Sequence, residues 1–192
     1  MDMFCFQCEQ TAKGTGCTVK GVCGKQPEAA TLMDLLVHVT EGLCQYAHRA
    51  RQLGAKDREI DRFVPEALFA TVTNVDFDPE RLAEVIRTAA ALRDRAKAMY
   101  EQACRDAGTE PEPLGGDAEL QPAGDRDELL DQGRERTVRK RIDSLGDDVA
   151  GLQELITYGL KGAAAYADHA RLLGVEDDEV YGFFRETLDY LS

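Results

Sequence analysis

The chain lacks most of the features that would tie it to a membrane or a nucleic acid. It has no apolar run approaching the roughly 18 residues a membrane helix needs. Its N-terminus has no basic stretch followed by an apolar one, which argues against a secretory signal. Basic residues are scarce: 23 Lys and Arg stand against 36 Asp and Glu, a net charge of −13. That balance excludes the basic footprint of a nucleic-acid binder and disfavours anionic membrane surfaces. It suits a soluble cytoplasmic protein. Dinucleotide-type G-x-G-x-x-G, P-loop and nucleophile-elbow motifs are all missing. Only three histidines occur, His38, His48 and His169. Each is read as a surface or core histidine in preference to a ligand.

What the chain does have is cysteine in one place. Cys5, Cys8, Cys17 and Cys23 fall within Met3 to Lys25 as C-x2-C-x8-C-x5-C. Gly14, Gly16, Gly21 and Gly24 lie among them, with Lys13, Lys20 and Lys25. A cubane iron–sulfur cluster needs four thiolates arriving from different directions. One C-x2-C turn supplies two, and glycines let the backbone curl and point N–H groups inward. Lysines offset part of the thiolate charge. Structural zinc usually takes two C-x2-C knuckles, and only one is present. Two disulfides would need an oxidising compartment. Iron–sulfur leads on spacing, with zinc and disulfides as open alternatives. Cys44 and Cys104 sit alone in helical patterns and read as reduced, buried or half-buried thiols.

The same stretch, MFCFQCEQTAKGTGCTVKGVCGK, resembles the N-terminus of the hybrid cluster protein family, also called prismane protein or hydroxylamine reductase. The resemblance rests on F-C-x-Q-C-E-Q-T, then G-C-T, then G-x-C-G-K, and weaker similarity runs through the chain. It implies that Cys5, Cys8, Cys17 and Cys23 bind a cluster near the surface, of the [4Fe–4S] type that goes with the compact spacing. It implies electron transfer onward to a hybrid iron–sulfur–oxygen cluster. The His, Glu and Cys ligands of that second cluster belong to later α/β domains, and none is found here. The implied enzyme reduces hydroxylamine to ammonia, or nitric oxide to nitrous oxide. Its partners would be a small electron-donor protein or reductase, the missing C-terminal α/β domains and a second copy in a homodimer. A fragment with the electron-entry domain alone would be inactive. A reading from another class is a self-contained helical protein with a structural or redox-sensing zinc site.

The rest of the chain reads as all-α. Residues 1–27 form the four-cysteine loop. Residues 28–107 form a first helical bundle, with apolar residues at three- and four-residue steps. Its helices run from Pro27 to Leu53, from Asp57 to Val72 with a kink expected at Pro65, and from Pro79 to Ala107 behind an Asp78 cap. Residues 108–146 are an acidic, Pro/Gly-rich linker with one solvated surface helix over 125–140. Residues 147–192 form a second bundle.

That second bundle repeats the first. Residues 152–192 align with 32–72 at an offset of 120, and 14 of 41 positions are identical. The shared mid-helix Gly42 and Gly162 predict close helix–helix approach there. The first copy continues into a third helix, whereas the second ends before one begins. The second copy is therefore incomplete and is expected to expose an apolar groove unless something covers it.

Overall fold

The computed structural model describes residues 3–8 and 11–192. Glu9 and Gln10 of the motif quoted above lie outside the described residues. The architecture is all-α, as the periodicity predicts. α1 spans Pro27–Gln52, α2 Arg58–Ala70, α3 Pro79–Ala107, α4 Arg126–Arg134, α5 Val138–Leu145, α6 Asp147–Leu172 and α7 Asp178–Leu191. Among the described residues, no helix is long and apolar enough to cross a membrane.

Local chemistry sets the helix ends. Pro27 and Pro79 occupy first-turn positions, where no backbone N–H is needed. The Asp57 carboxylate caps α2 by accepting from the Glu59 and Ile60 amides at 2.9 and 3.3 Å. Its repeat equivalent Asp177 caps α7 in the same way, from Glu179 and Val180. α2 runs on through the buried Pro65 to Ala70 without a break. Leu32, Leu35, Leu36, Val39 and Leu43 of α1 are fully buried at helical spacing. Their partners on α3 include Leu82, Ile86 and Ala89.

Two features depart from expectation. The segment 125–140 is not one solvated helix. It breaks after Arg134 and restarts at Val138, where the Thr137 hydroxyl accepts from the Lys140 amide. α4 buries Leu129 and Leu130 and presses Gly133 against Thr31 of α1; a Cβ at Gly133 would meet the Thr31 methyl at 2.6 Å. α5 lies along α6. The stretch before α4 is also no free linker. It carries a 3-10 turn, Gly116–Glu119, laid along α1, with Ala118 and Leu120 buried.

The close approach at Gly42 is made by that turn, not by a helix. A Cβ at Gly42 would overlap the Asp117 carbonyl. Gly162, its repeat equivalent, faces open space.

The two copies interlock. α7 lies on α1, and α6 lies on α2. Because α6 repeats α1 and α7 repeats α2, this is a pseudo-twofold exchange. One core runs through both copies and includes Leu160, Ala164, Phe184 and Leu188. Ion pairs stitch the seam: Arg185 with Asp61, both buried, and Arg49 with Asp189. At the rim, Arg62 pairs with Glu176 at 2.7 Å and Lys56 with Asp178 at 2.8 Å.

Candidate metal centre

The cysteine loop folds on itself through one backbone pairing. The Cys5 amide donates to the Cys17 carbonyl at 3.0 Å, and the Cys17 amide donates to the Cys5 carbonyl at 2.7 Å. This isolated antiparallel bridge sets the first and third cysteines side by side. Cys8 follows Cys5 by three residues, and its carbonyl accepts from the Thr11 amide at 3.3 Å. A 3-10 turn at Ala12–Gly14, with Lys13 left-handed at φ 58°, returns the chain. Cys23 lies in a second tight turn closed by Gly21 N–H to the Lys25 carbonyl at 2.9 Å and Gly24 N–H to the Gly21 carbonyl at 2.8 Å. Cys17 is buried, Cys5 and Cys8 are half-buried and Cys23 is exposed; all six cysteines are free thiols. Cys44 and Cys104 lie in the helical core, away from this loop.

The loop's own atoms fit an anionic, sulfur-ligated group. The Ala12 amide donates to Cys17 Sγ at 3.5 Å, the type of contact that stabilises a ligating thiolate. A Cβ on Gly21 would stand 3.1 Å from Cys23 Sγ, so glycine leaves that sulfur room. Lys25 is buried beneath the loop, its Nζ 2.9 Å from Met33 Sδ. Burial pushes the Cys5 thiol above its ordinary value; a Gln7 backbone hydrogen bond and the Lys25 charge oppose it, and Asp34 and Cys17 add to it. Lys13 and Lys20 are exposed, so of the three lysines only Lys25 reaches the interior.

Sequence reasoning missed the polar groups behind the loop. Cys5, Lys25, Asp34, His38, Arg141 and Lys161 share one cavity of about 30 Å³, with room for a water. His38 is no ordinary core histidine, because Asp117 sits 2.6 Å from its Nδ1. The available signal was the placement of Asp34, His38 and Glu41 on one face of α1 at steps of four and three. His48 and His169 are as expected: His48 bonds Gln52 at 2.9 Å at the surface, and His169 stands edge-on to Phe69.

Three relatives show what the whole chain is similar to. The hydroxylamine reductase of Rhodospirillum rubrum is 51% identical over 190 residues, which is 99% of this chain and 35% of that protein. Those of Acidithiobacillus ferrooxidans and Geobacter sulfurreducens are 46% and 48% identical over 194 and 190 residues. The chain spans about a third of the length of the curated relatives it matches: 35%, 35% and 34%. Residues 3–192 match the Prismane/CO dehydrogenase family, and the chain belongs to that family.

Proposed function

We propose that this chain is the electron-entry domain of a hydroxylamine reductase-type oxidoreductase, with Cys5, Cys8, Cys17 and Cys23 holding a [4Fe–4S] cluster. The observation that carries the reading is the pairing of Cys5 with Cys17 in a loop whose amide already points at Cys17 Sγ. When bound, such a group supplies reversible one-electron storage. The chain's own residues do the rest. Cys17 anchors the site from the buried side, and Cys23 marks its exposed side. Lys25 supplies a buried positive charge against four thiolates. Val19 and Val22, 80% and 59% exposed in the stretch that leads into Cys23, offer apolar surface to a small electron-donor protein or reductase, with Lys20 between them in sequence.

Reduction of hydroxylamine itself would need the length of protein that the relatives have and this chain does not span. The repeat supports a docking face for it. Leu32, Leu35, Tyr46 and Phe63 of the first copy are at most 9% exposed, largely under α3. Their equivalents Leu152, Leu155, Tyr166 and Phe183 are 64, 66, 81 and 57% exposed. Tyr166 and Phe183 line an apolar groove of about 570 Å³ between α6 and α7. A helix like α3, from the part of the relatives outside this chain, suits that face.

The test is metal analysis of protein purified without oxygen. About four irons and four sulfides per chain, lost together in Cys17→Ser, are expected, with an EPR signal on reduction. One zinc and no sulfide would sink the electron-transfer reading and favour a structural zinc site.

A further inference from the structure

The charged seam between the two copies carries a second role. Asp34, His38 and Glu41 on α1 have Glu154, Tyr158 and Lys161 as their repeat equivalents on α6. The repeat thus sets two short ladders of polar groups behind Cys5: Asp34, His38, Glu154, Tyr158 and Lys161 line the cavity there, and Glu41 stands beside His38 one turn further along α1. At the far end, His38 Nδ1 lies 2.6 Å from Asp117 Oδ2 and 3.3 Å from Glu41 Oε2. Arg141 reaches in from α5, 3.1 Å from Glu154, 3.2 Å from His38 Nε2 and 3.7 Å from Glu41. Arg136, before α5, stands 3.7 Å from Asp117. Glu41 is fully buried, and neither of its carboxylate oxygens has a hydrogen-bond partner among the described residues. A buried carboxylate without donors is poorly held as an anion and readily takes a proton.

We propose that this seam binds one proton from solvent for each electron that arrives at the four-cysteine loop, with the Glu41–His38 pair as the acceptor. The inference rests on the reading that the loop holds a redox-active group. The electron comes from a protein or chemical reductant, the proton from water, and no covalent bond within the chain changes. An added negative charge raises the proton affinity of acids facing it through a low-dielectric interior. The groups that respond are those near half-titration at neutral pH. Burial pushes Glu41 up to about 7 against the pull of His38 and Arg141. Asp34 is likewise pushed up to about 7 by burial, opposed by Lys161. Burial disfavours charge on His38, but the Asp117 hydrogen bond and the Glu41 and Asp117 charges raise it overall. His38, Glu41 and Asp117 place donors within 4.8 Å of one another, as a metal site would. The Arg141 cation, however, takes the place a metal's charge would fill, so the trio suits a proton.

The experiment is a spectroelectrochemical titration of the anaerobic, cluster-loaded protein from pH 5.5 to 8.5. The midpoint potential should fall by about 59 mV per pH unit around neutrality, the value for one proton per electron. Glu41→Gln should reduce the slope at unchanged iron and sulfide, Asp34 keeping its own share, while the surface variant His48→Gln keeps the full slope. A flat wild-type profile at full cluster content, or a Glu41→Gln protein with the wild-type slope, overturns the proposal. Should Glu41→Gln not fold, His38→Gln decides: a window displaced to higher pH supports the pair, and an unmoved window overturns it. Absence of iron and sulfide from the wild type would instead overturn the cluster reading on which this one rests.

Discussion

Gly16 shows how the loop constrains single residues. Its φ of 140° is one that L side chains rarely adopt, and a Cβ there would stand 2.6 Å from the Phe4 ring. Phe4 precedes Cys5 and Gly16 precedes Cys17, so a clash between them would prise open the Cys5–Cys17 pairing. Gly16→Ala is expected to cost about 1–3 kcal/mol and to lower iron and sulfide per chain, read by metal analysis beside wild type. At Glu41 the effect is one of pH. Its folded pKa, about 7, lies above its ordinary 4.5. The native state therefore holds the proton more tightly than the unfolded chain does. The contribution to stability is full below pH 4.5 and is lost as pH rises through 7, up to about 3 kcal/mol. Urea unfolding should show wild type weakening from pH 5 to 8, and Glu41→Gln weakening less. The gathering of four cysteines in one loop was legible from their spacing, and the backbone pairing of Cys5 with Cys17 within it was not. The His38–Asp117 contact was not, because 79 residues separate partners that meet only when the 116–119 turn crosses α1.

Helices whose apolar residues repeat at three and four were legible to within a residue or two. α1, α2 and α3 sit where periodicity and the Asp57, Pro27 and Pro79 signals place them. The stretch 108–146 was not, because its packing uses isolated residues. Ala118, Leu120 and Leu129 are buried one or two at a time among Pro, Gly and acids, with no period to read. The same strap explains why two equivalent glycines should answer differently. Alanine at Gly42 would overlap the Asp117 carbonyl, so Gly42→Ala must displace the turn. A loss of about 2–4 kcal/mol is expected, in the range of overpacked cores and broken buried networks. At Gly162 no neighbour lies within reach, so Gly162→Ala should be stabilising by about 0.5–1 kcal/mol through helix propensity. Thermal unfolding of the two variants checks this, and equal effects would contradict the assigned contact.

At the scale of the whole molecule, the repeat predicts more than a resemblance between halves. The offset of 120 residues was readable, but the interlocking of the copies was not. Sequence periodicity says which face of a helix is apolar and nothing about which helix covers it. Here α1 is covered on one side by α3 and on another by α7, whereas α6 has α2 and α5 and keeps an apolar face in water. Equivalent leucines therefore carry different loads. Leu35 is fully buried and Leu155 is 66% exposed. Leu35→Glu would bury an unpaired carboxylate and should prevent stable folding, at a cost of more than about 4 kcal/mol. Leu155→Glu should change the stability of the 192-residue chain by less than about 0.5 kcal/mol and lower any tendency to associate through this face, since it breaks an exposed apolar patch. Denaturant midpoints and sedimentation of both variants make the comparison. If Leu155→Glu proved as damaging as Leu35→Glu in this chain, the α6 face would already be filled, and no further helix would have a place there. If Leu155→Glu is silent here but damaging in a protein of the relatives' full length, the face is a seat for what lies beyond.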